Sequence, residues 1–339
     1  MRGPPQTRNP NYFKPGLPYI DNIRQTLVVD TYTRYAAFLT HKTEFTSESG
    51  FTPAQLIPQF YKFRDAGKIN SYQFMVGARI EGLWMNLTKP PFNTNLKLRQ
   101  AVSLALDRRE YGITVLEGNY KPALISFREA DGAFGRPEAA YWDVMPGWGT
   151  GTKKQQEIVQ AKQLVIDAGY PQGLEIVFIS RTGNPYITAA ELFQQHLAKI
   201  GIRATTKTTG TAPQFDDAML KLDYILAWKG FAMVTAAPEE VVGGYWTTGA
   251  ARNTSGYANP EVDKLFIQMA AELDTAKRAA LFKQIEEIIV FKDQGFAPLP
   301  SNAPEVFWWN RLQGVGWGMA SNPSANSGLM RGDRLWLKD

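Results

Sequence analysis

Residues 153–206 read KKQQEIVQAKQLVIDAGYPQGLEIVFISRTGNPYITAAELFQQHLAKIGIRATT. Over 153–169, Ile158, Ala161, Leu164, Val165 and Ala168 recur at helical spacing and make one apolar stripe. Gly169 suits a left-handed helix cap, and Pro171 prevents the helix from resuming. Leu174–Ile179 then reads as a strand. A second helix is expected over 187–200, with Ala189, Leu192, Phe193, Leu197 and Ile200 inward. Gly201 stops it, and Ile202–Thr206 returns as another strand. Helix, strand, helix, strand in this order predicts an α/β layer with crossover helices.

The alternation extends both ways. Downstream, 222–228 reads as a further strand, and helices are expected near 260–271 and 275–291. The tail is rich in Trp, Gly and Asn and holds a strand-like piece at Glu305–Trp309. Upstream, Leu98, Val102, Ala105 and Leu106 mark the most regular helix of the chain, and Thr94 or Asn95 can cap it. Residues 71–87 read as one or two strands, Tyr72–Val76 and Gly82–Asn86. A helix is expected over 52–66, and the extended stretch Gln25–Val29 precedes another. Residues 1–20, rich in Pro, Asn and Gly, read as loop.

The chain has 339 residues, 44% hydrophobic and 20% charged, which is enough for two domains with separate cores. Its net charge of +5 comes from Lys and Arg scattered among Asp and Glu. No basic stripe of the kind that follows a phosphate backbone is present, so nucleic-acid binding is not expected. The absence of Cys excludes disulfides, thiolate zinc sites and cysteine nucleophiles. The two histidines, His41 and His196, lie far apart and leave little material for a catalytic triad or a multi-His metal site. Neither a cofactor nor a metal is expected. No apolar stretch is long enough to span a bilayer. Met1–Pro5 lacks the apolar region of a signal peptide, so the chain is expected to carry none.

Two motifs invite chemistry. Gly147–Lys153 is Gly-rich and precedes a helix, but Thr152 separates the last Gly from Lys153, so the phosphate-cradling pattern fails. The carboxylate pairs Asp216–Asp217, Glu239–Glu240 and Glu286–Glu287 are sequence neighbours, which do not face each other on a helix. Glu239 and Glu240 would suit glycoside hydrolysis only at a defined separation across a cleft.

Several segments, in order, carry a likeness to a known family. They are Arg8–Asp21 (RNPNYFKPGLPYID), then Pro90-Pro91-Phe92 with Leu98–Arg108 (LRQAVSLALDR), and then Ala161–Leu164 with Ala168–Pro171. Leu197–Ile202 and Tyr257–Leu265 complete the set. Together they resemble the family 5 extracellular solute-binding proteins, the group that includes oligopeptide-, dipeptide- and nickel-binding components of ABC importers. The resemblance implies an α/β, two-lobed periplasmic-binding-protein-like fold (type II, cluster C) whose first lobe is incomplete here. Residues 1–84 would be what remains of that lobe, 85–300 the second lobe, and 301–339 the return to the first. Crossings would lie near Trp84–Phe92 and Phe296–Asn302. Arg99, Asp107, Arg108 and the Tyr12–Tyr19 run are expected to lock structure rather than touch ligand.

By the same resemblance the chain is the substrate-binding component of an ABC importer, with no catalytic step. It would close two lobes on a small solute, a peptide, opine, oligosaccharide or similar, and deliver it to a membrane permease. It would act as a periplasmic or extracellular lipid-anchored protein and is expected to be a monomer. Ligand contacts are expected from Trp84, Asn86, Trp228, Phe231, Met233, Tyr245, Trp246, Asn253 and Tyr257. Aromatics of this kind serve a core as readily as a cleft wall. Peptide-binding relatives place an Asp a few residues before the Pro that corresponds to Pro238. That slot is Val234 here, so a free-amine peptide is not the expected ligand. The other function classes are a glycoside hydrolase using Glu239 and Glu240, and a protein-interaction module.

Overall fold

A computed structural model describes residues 6–24, 26, 28, 30–46, 56–73, 79–125, 134–183, 185–232, 237–303, 305–315 and 332–338. The chain forms two compact units, residues 1–77 with 302–339, and residues 78–301. The expected strand pieces at 25, 27, 29 and 74–76 lie outside the described residues.

The second unit is built on a five-stranded sheet. Its strands are β1 (Arg79–Met85), β2 (Leu174–Ser180), β3 (Ile202–Thr208), β4 (Leu226–Ala232) and β5 (Phe296–Pro298), in the order β3-β2-β4-β1-β5. β2 runs parallel to β3 and β4, whereas β1 is antiparallel to both β4 and β5. Helices α1 (Leu96–Ala105), α2 (Arg108–Thr114), α3 (Gly151–Asp167) and α4 (Tyr186–Ala198) come before β3 in the chain. α5 (Ala212–Leu220), α6 (Pro260–Ala271) and α7 (Thr275–Glu287) follow it. The strand expected from 222 starts only at Leu226. Leu222 has φ +54°, and the Asn86 carboxamide holds the carbonyls of Leu222 and Tyr224 in a turn. The helix expected to reach 291 ends at Glu287 and continues as a π-helical turn, Ile288–Lys292.

The sheet separates two cores because alternate residues point to opposite faces. On one face Ile80, Trp84, Ala227 and Ile179 join Tyr245, Trp246, Tyr257 and Phe282. On the other, Leu83, Met85, Leu226, Trp228, Ile176 and Phe178 join the inner residues of α1 and α4. The register agrees: Trp84 faces Ala227 and Leu83 faces Trp228 across β1 and β4. Gly82 is required where β1 meets β5, because a Cβ there would lie 2.6 Å from the Ala297 carbonyl oxygen and the Phe296 ring.

The Leu98–Arg108 segment is a structural lock. Asn95 Oδ1 accepts from the Leu98 N–H (3.2 Å), and its amide donates to the Ala168 carbonyl (2.9 Å), tying the start of α1 to the end of α3. Arg99 Nε donates to the Asp293 carbonyl at 2.9 Å, and Asp107 caps α2 through the Glu110 N–H. Arg108 is fully buried. It donates to the carbonyls of Pro298 (2.8 Å), Ser103 (2.9 Å) and Gly147, with its guanidinium over the Trp148 ring. Two of its anchors, Ser103 O and Oγ, lie in the last turn of α1, where the helix dipole favours a cation.

In the first unit, strand Glu305–Trp309 pairs antiparallel with Ile69–Gln73. Val306 and Trp308 pack with Leu312, Val315 and Leu335 on one side. Phe307 and Trp309 pack with Tyr35, Phe38, Phe60 and Ile69 on the other. Helices Thr31–Leu39 and Ile57–Asp65 supply that second core, and Asp30 caps the first through the Thr33 N–H at 2.8 Å.

Candidate functional site

Five of the nine residues expected to touch ligand converge in the second unit. Trp84 on β1 stacks on Trp246 (5.1 Å, 11° between planes) and meets Phe231 of β4 edge-on at 5.0 Å. Phe231 touches Tyr245 at 4.6 Å, and Trp246 meets Tyr257 at 5.7 Å. Phe296 of β5, not expected as a contact, closes the group against Trp84 and Trp246. A second π-helical turn, Val242–Trp246, brings Tyr245 and Trp246 in together. Trp84, Tyr245, Trp246 and Tyr257 are buried, and Phe231 is half-buried.

The other four are placed elsewhere. Trp228 lies on the opposite face of the sheet, 5.2 Å from the Tyr186 ring. Asn86 is buried and fully engaged. Its amide donates to the Leu222 and Tyr224 carbonyls, and its oxygen accepts from the Thr88 N–H and hydroxyl. Asn253 fixes its own loop, donating to the Tyr257 carbonyl (2.7 Å) and accepting from the Tyr257 N–H (3.1 Å). Met233, with all of 233–236, lies outside the described residues.

Two cations that sequence reading passed over stand on neighbouring strands, one directly after β2 and one midway along β4. Arg181 follows β2 directly, lies over the Tyr186 ring (4.4 Å) and donates to its hydroxyl at 2.7 Å. Lys229 is the only charged residue within β4. Its ammonium lies 2.6 Å from Asp216 Oδ1 and 4.2 Å from the Phe231 ring centroid. Burial pushes the Lys229 ammonium below its usual range, and the nearby charge of Arg181 pushes the same way, against Asp216. Both side chains are half-buried. The available signal was positional: a lone Lys inside an apolar strand, and an Arg at a strand's carboxyl end.

The motifs weighed for chemistry are used internally. The backbone N–H groups of Gly147 and Gly149, which a phosphate would need, donate to the carboxylate of Glu157. Glu157 in turn lies 2.6 Å from Lys154 Nζ. Glu239 pairs with Arg278 and Glu240 lies 3.7 Å from Arg252, so the two acids are held by different arginines. Among the described residues no cluster of His, Asp and Glu could hold a metal ion, and no helix is long and apolar enough to cross a membrane.

The sequence profile of the bacterial extracellular solute-binding proteins, family 5 Middle, matches residues 6–253. The chain belongs to this family. Among curated family 5 relatives, the glutathione-binding protein GsiB of Escherichia coli (strain K12) is 25% identical over 301 residues, 85% of this chain and 54% of that protein. The chain therefore spans about half the length of the curated relatives it matches. The family 5 fold is equally plain in solved structures. HbpA2 from Haemophilus parasuis superposes with a TM-score of 0.74 at 24% identity, covering 98% of this chain and 61% of that one. The binding protein AgaA from A. tumefacien R10, in complex with agropinic acid, gives 0.68 at 20% identity, covering 97% and 63%. The chain thus has the α/β fold of the periplasmic binding proteins.

Proposed function

We propose that the chain is the solute-capturing component of an ABC importer, holding a small acidic solute and passing it to a membrane permease without converting it. The observation that carries the acidic preference is the pair Arg181, directly after the carboxyl end of β2, and Lys229, midway along β4, both half-buried and close enough to repel. Open α/β sheets meet their ligands at the carboxyl ends of the strands, which is where Arg181 stands. A guanidinium that is partly desolvated and already oriented by Tyr186 is suited to a carboxylate, which it can take with two parallel hydrogen bonds. Phe231, half-buried beside Lys229, offers the apolar surface next to that charge. Tyr245 and Trp84 back Phe231, Trp228 backs Tyr186, and Asn86 and Asn253 hold the adjoining loops.

The relatives support this kind of solute, since glutathione and agropinic acid both carry carboxylates. Val234, which offers no carboxylate to an amino group, argues against a conventional free-amine peptide. The protein would act outside the cytoplasmic membrane, lipid-anchored or periplasmic, as a monomer.

The test is a thermal-shift and tryptophan-fluorescence screen of the chain against glutathione, opine acids, dipeptides and neutral sugars. An acidic solute should stabilise the protein by about 2.7 kcal/mol at a hundredfold excess over its Kd. Turnover of any solute, or micromolar binding of simple dipeptides in preference to the acids, would refute the reading.

A further inference from the structure

Away from these cations, the second unit has a cavity of about 420 Å³ between α1, α3 and the π-helical segment Ile288–Lys292 with the turn that follows it. None of the eight described residues among those expected to touch ligand, and neither Arg181 nor Lys229, lines it. Its wall mixes apolar side chains with four carboxamides. Gln100 comes from α1, Gln156 and Gln160 lie one turn apart on α3, and Gln294 comes from the closing turn. Gln100, Gln156 and Gln160 have no hydrogen-bond partner among the described residues.

Gln294 is unusual in three ways. It has φ +49°, it is only 6% exposed, and its Oε1 has no hydrogen-bond partner among the described residues. Its Nε2 donates to the Val290 carbonyl, which fixes the orientation of the amide and leaves the oxygen as the spare acceptor. Buried polar atoms in folded proteins are almost always satisfied, so an acceptor left over beside a cavity asks for a donor.

The charged side chains on the wall are already hydrogen-bonded. Glu157 is held by Lys154 and the Gly147 and Gly149 N–H groups, and Lys153 donates to the Asp143 carbonyl. The rest of the wall is uncharged: four amides, each able to donate and accept, beside apolar surface from Leu104, Val144, Pro146, Leu164 and the half-buried ring of Phe291. The volume lies in the range of small-molecule sites.

We infer that this cavity is a second binding site, for a neutral, hydroxyl-rich molecule of about monosaccharide size. Hydroxyls donate and accept at one atom, as carboxamides do across two, and so can satisfy Gln294 Oε1 and the Gln100, Gln156 and Gln160 amides together. The one cation on this wall without a carboxylate partner among the described residues is Lys153, tethered to the Asp143 carbonyl, so an anion gains less here than a polyol that meets all four amides.

The test is calorimetry of the full chain with D-glucose and myo-inositol, with D-gluconate as the charged counterpart. The neutral polyols should bind, and gluconate more weakly. Gln160→Ala, on the exposed face of α3, and Gln294→Met, which keeps the volume but removes the acceptor, should each weaken binding by about tenfold or more. Gln160→Ala should leave the melting temperature of the unliganded protein unchanged. Failure of both polyols to bind, or binding of wild-type strength in either variant, would overturn the inference.

Discussion

Lys154 Nζ lies 2.6 Å from Glu157 Oε2, one turn along α3, and both side chains are almost wholly buried. The same ammonium donates to the carbonyls of Leu104 (3.2 Å), Leu106 (2.9 Å) and Gly147 (3.0 Å). Burial, aided by the charge of Arg108, lowers its pKa to about 8, against the pull of Glu157. Lys154→Met should therefore leave Glu157 as an undercompensated buried carboxylate and destabilise the fold by about 3 kcal/mol or more. Adding Glu157→Gln should recover part of that loss, because the carboxamide oxygen still accepts from the Gly147 and Gly149 N–H groups. Urea midpoints at constant slope measure both.

Arg181→Ala should weaken binding of an acidic solute by about 1.5–3 kcal/mol, the usual range for a hydrogen bond to a charged group. Stability should change little, since Arg181 is only half-buried and, among the described residues, its hydrogen-bond partner is Tyr186 alone. Equal affinity of wild type and variant for an acidic solute would move the site elsewhere.

Trp84→Ala should cost about 3–5 kcal/mol, because it opens a cavity in an aromatic core shared with Phe231, Trp246 and Phe296. It also leaves the Lys229 carbonyl without the indole N–H, now 3.0 Å away. Phe231→Ala, at the half-buried edge of the same cluster, should cost less stability and more affinity. Chemical denaturation and solute titration of both variants separate support from contact.

His196 gives the fold a pH dependence. Its Nε2 lies 2.9 Å from Glu110, its Nδ1 accepts from the Asp107 N–H, and burial holds its pKa below the ordinary value. Glu110 and Asp107 oppose that shift, whereas Lys199 reinforces it. Above about pH 6.5 the ring is neutral in both folded and unfolded chains and contributes no slope. Below it the unfolded chain takes up a proton that the folded one resists, so stability falls with pH until the folded pKa is passed. Melting temperatures over this window should fall more steeply for the wild type than for His196→Gln.

The helix–strand–helix–strand run at 153–206 was legible because each element carries its own apolar stripe and its own stop at Gly169 or Gly201. The observed boundaries, Gly151–Asp167, Leu174–Ser180, Tyr186–Ala198 and Ile202–Thr208, differ from that reading by a few residues at most. The strand at Leu226–Ala232 was read too early, since its start depends on Asn86, which is distant in sequence and holds the preceding turn. The aromatics were noticed, but their faces were not: Trp84 and Trp228 point to opposite sides of the sheet through a register that only the pairing of β1 with β4 sets. Arg181 and Lys229 were missed because isolated cations carry no periodicity. Their meaning comes from the neighbouring strands that bring them together.

Gly82→Ala should cost about 1–3 kcal/mol by overpacking, because neither the Ala297 backbone nor the buried Phe296 ring has room to retreat.

Strands β1 and β5 stand next to each other, with Gly82 opposite Pro298 and the Leu299 N–H donating to the Glu81 carbonyl at 2.8 Å. The polypeptide therefore comes into the second unit and goes out of it through neighbouring strands, while everything from Asn86 to Gly295 is a closed excursion. Residues 78–301 therefore have the layout of an inserted domain, whose two ends leave the host chain side by side.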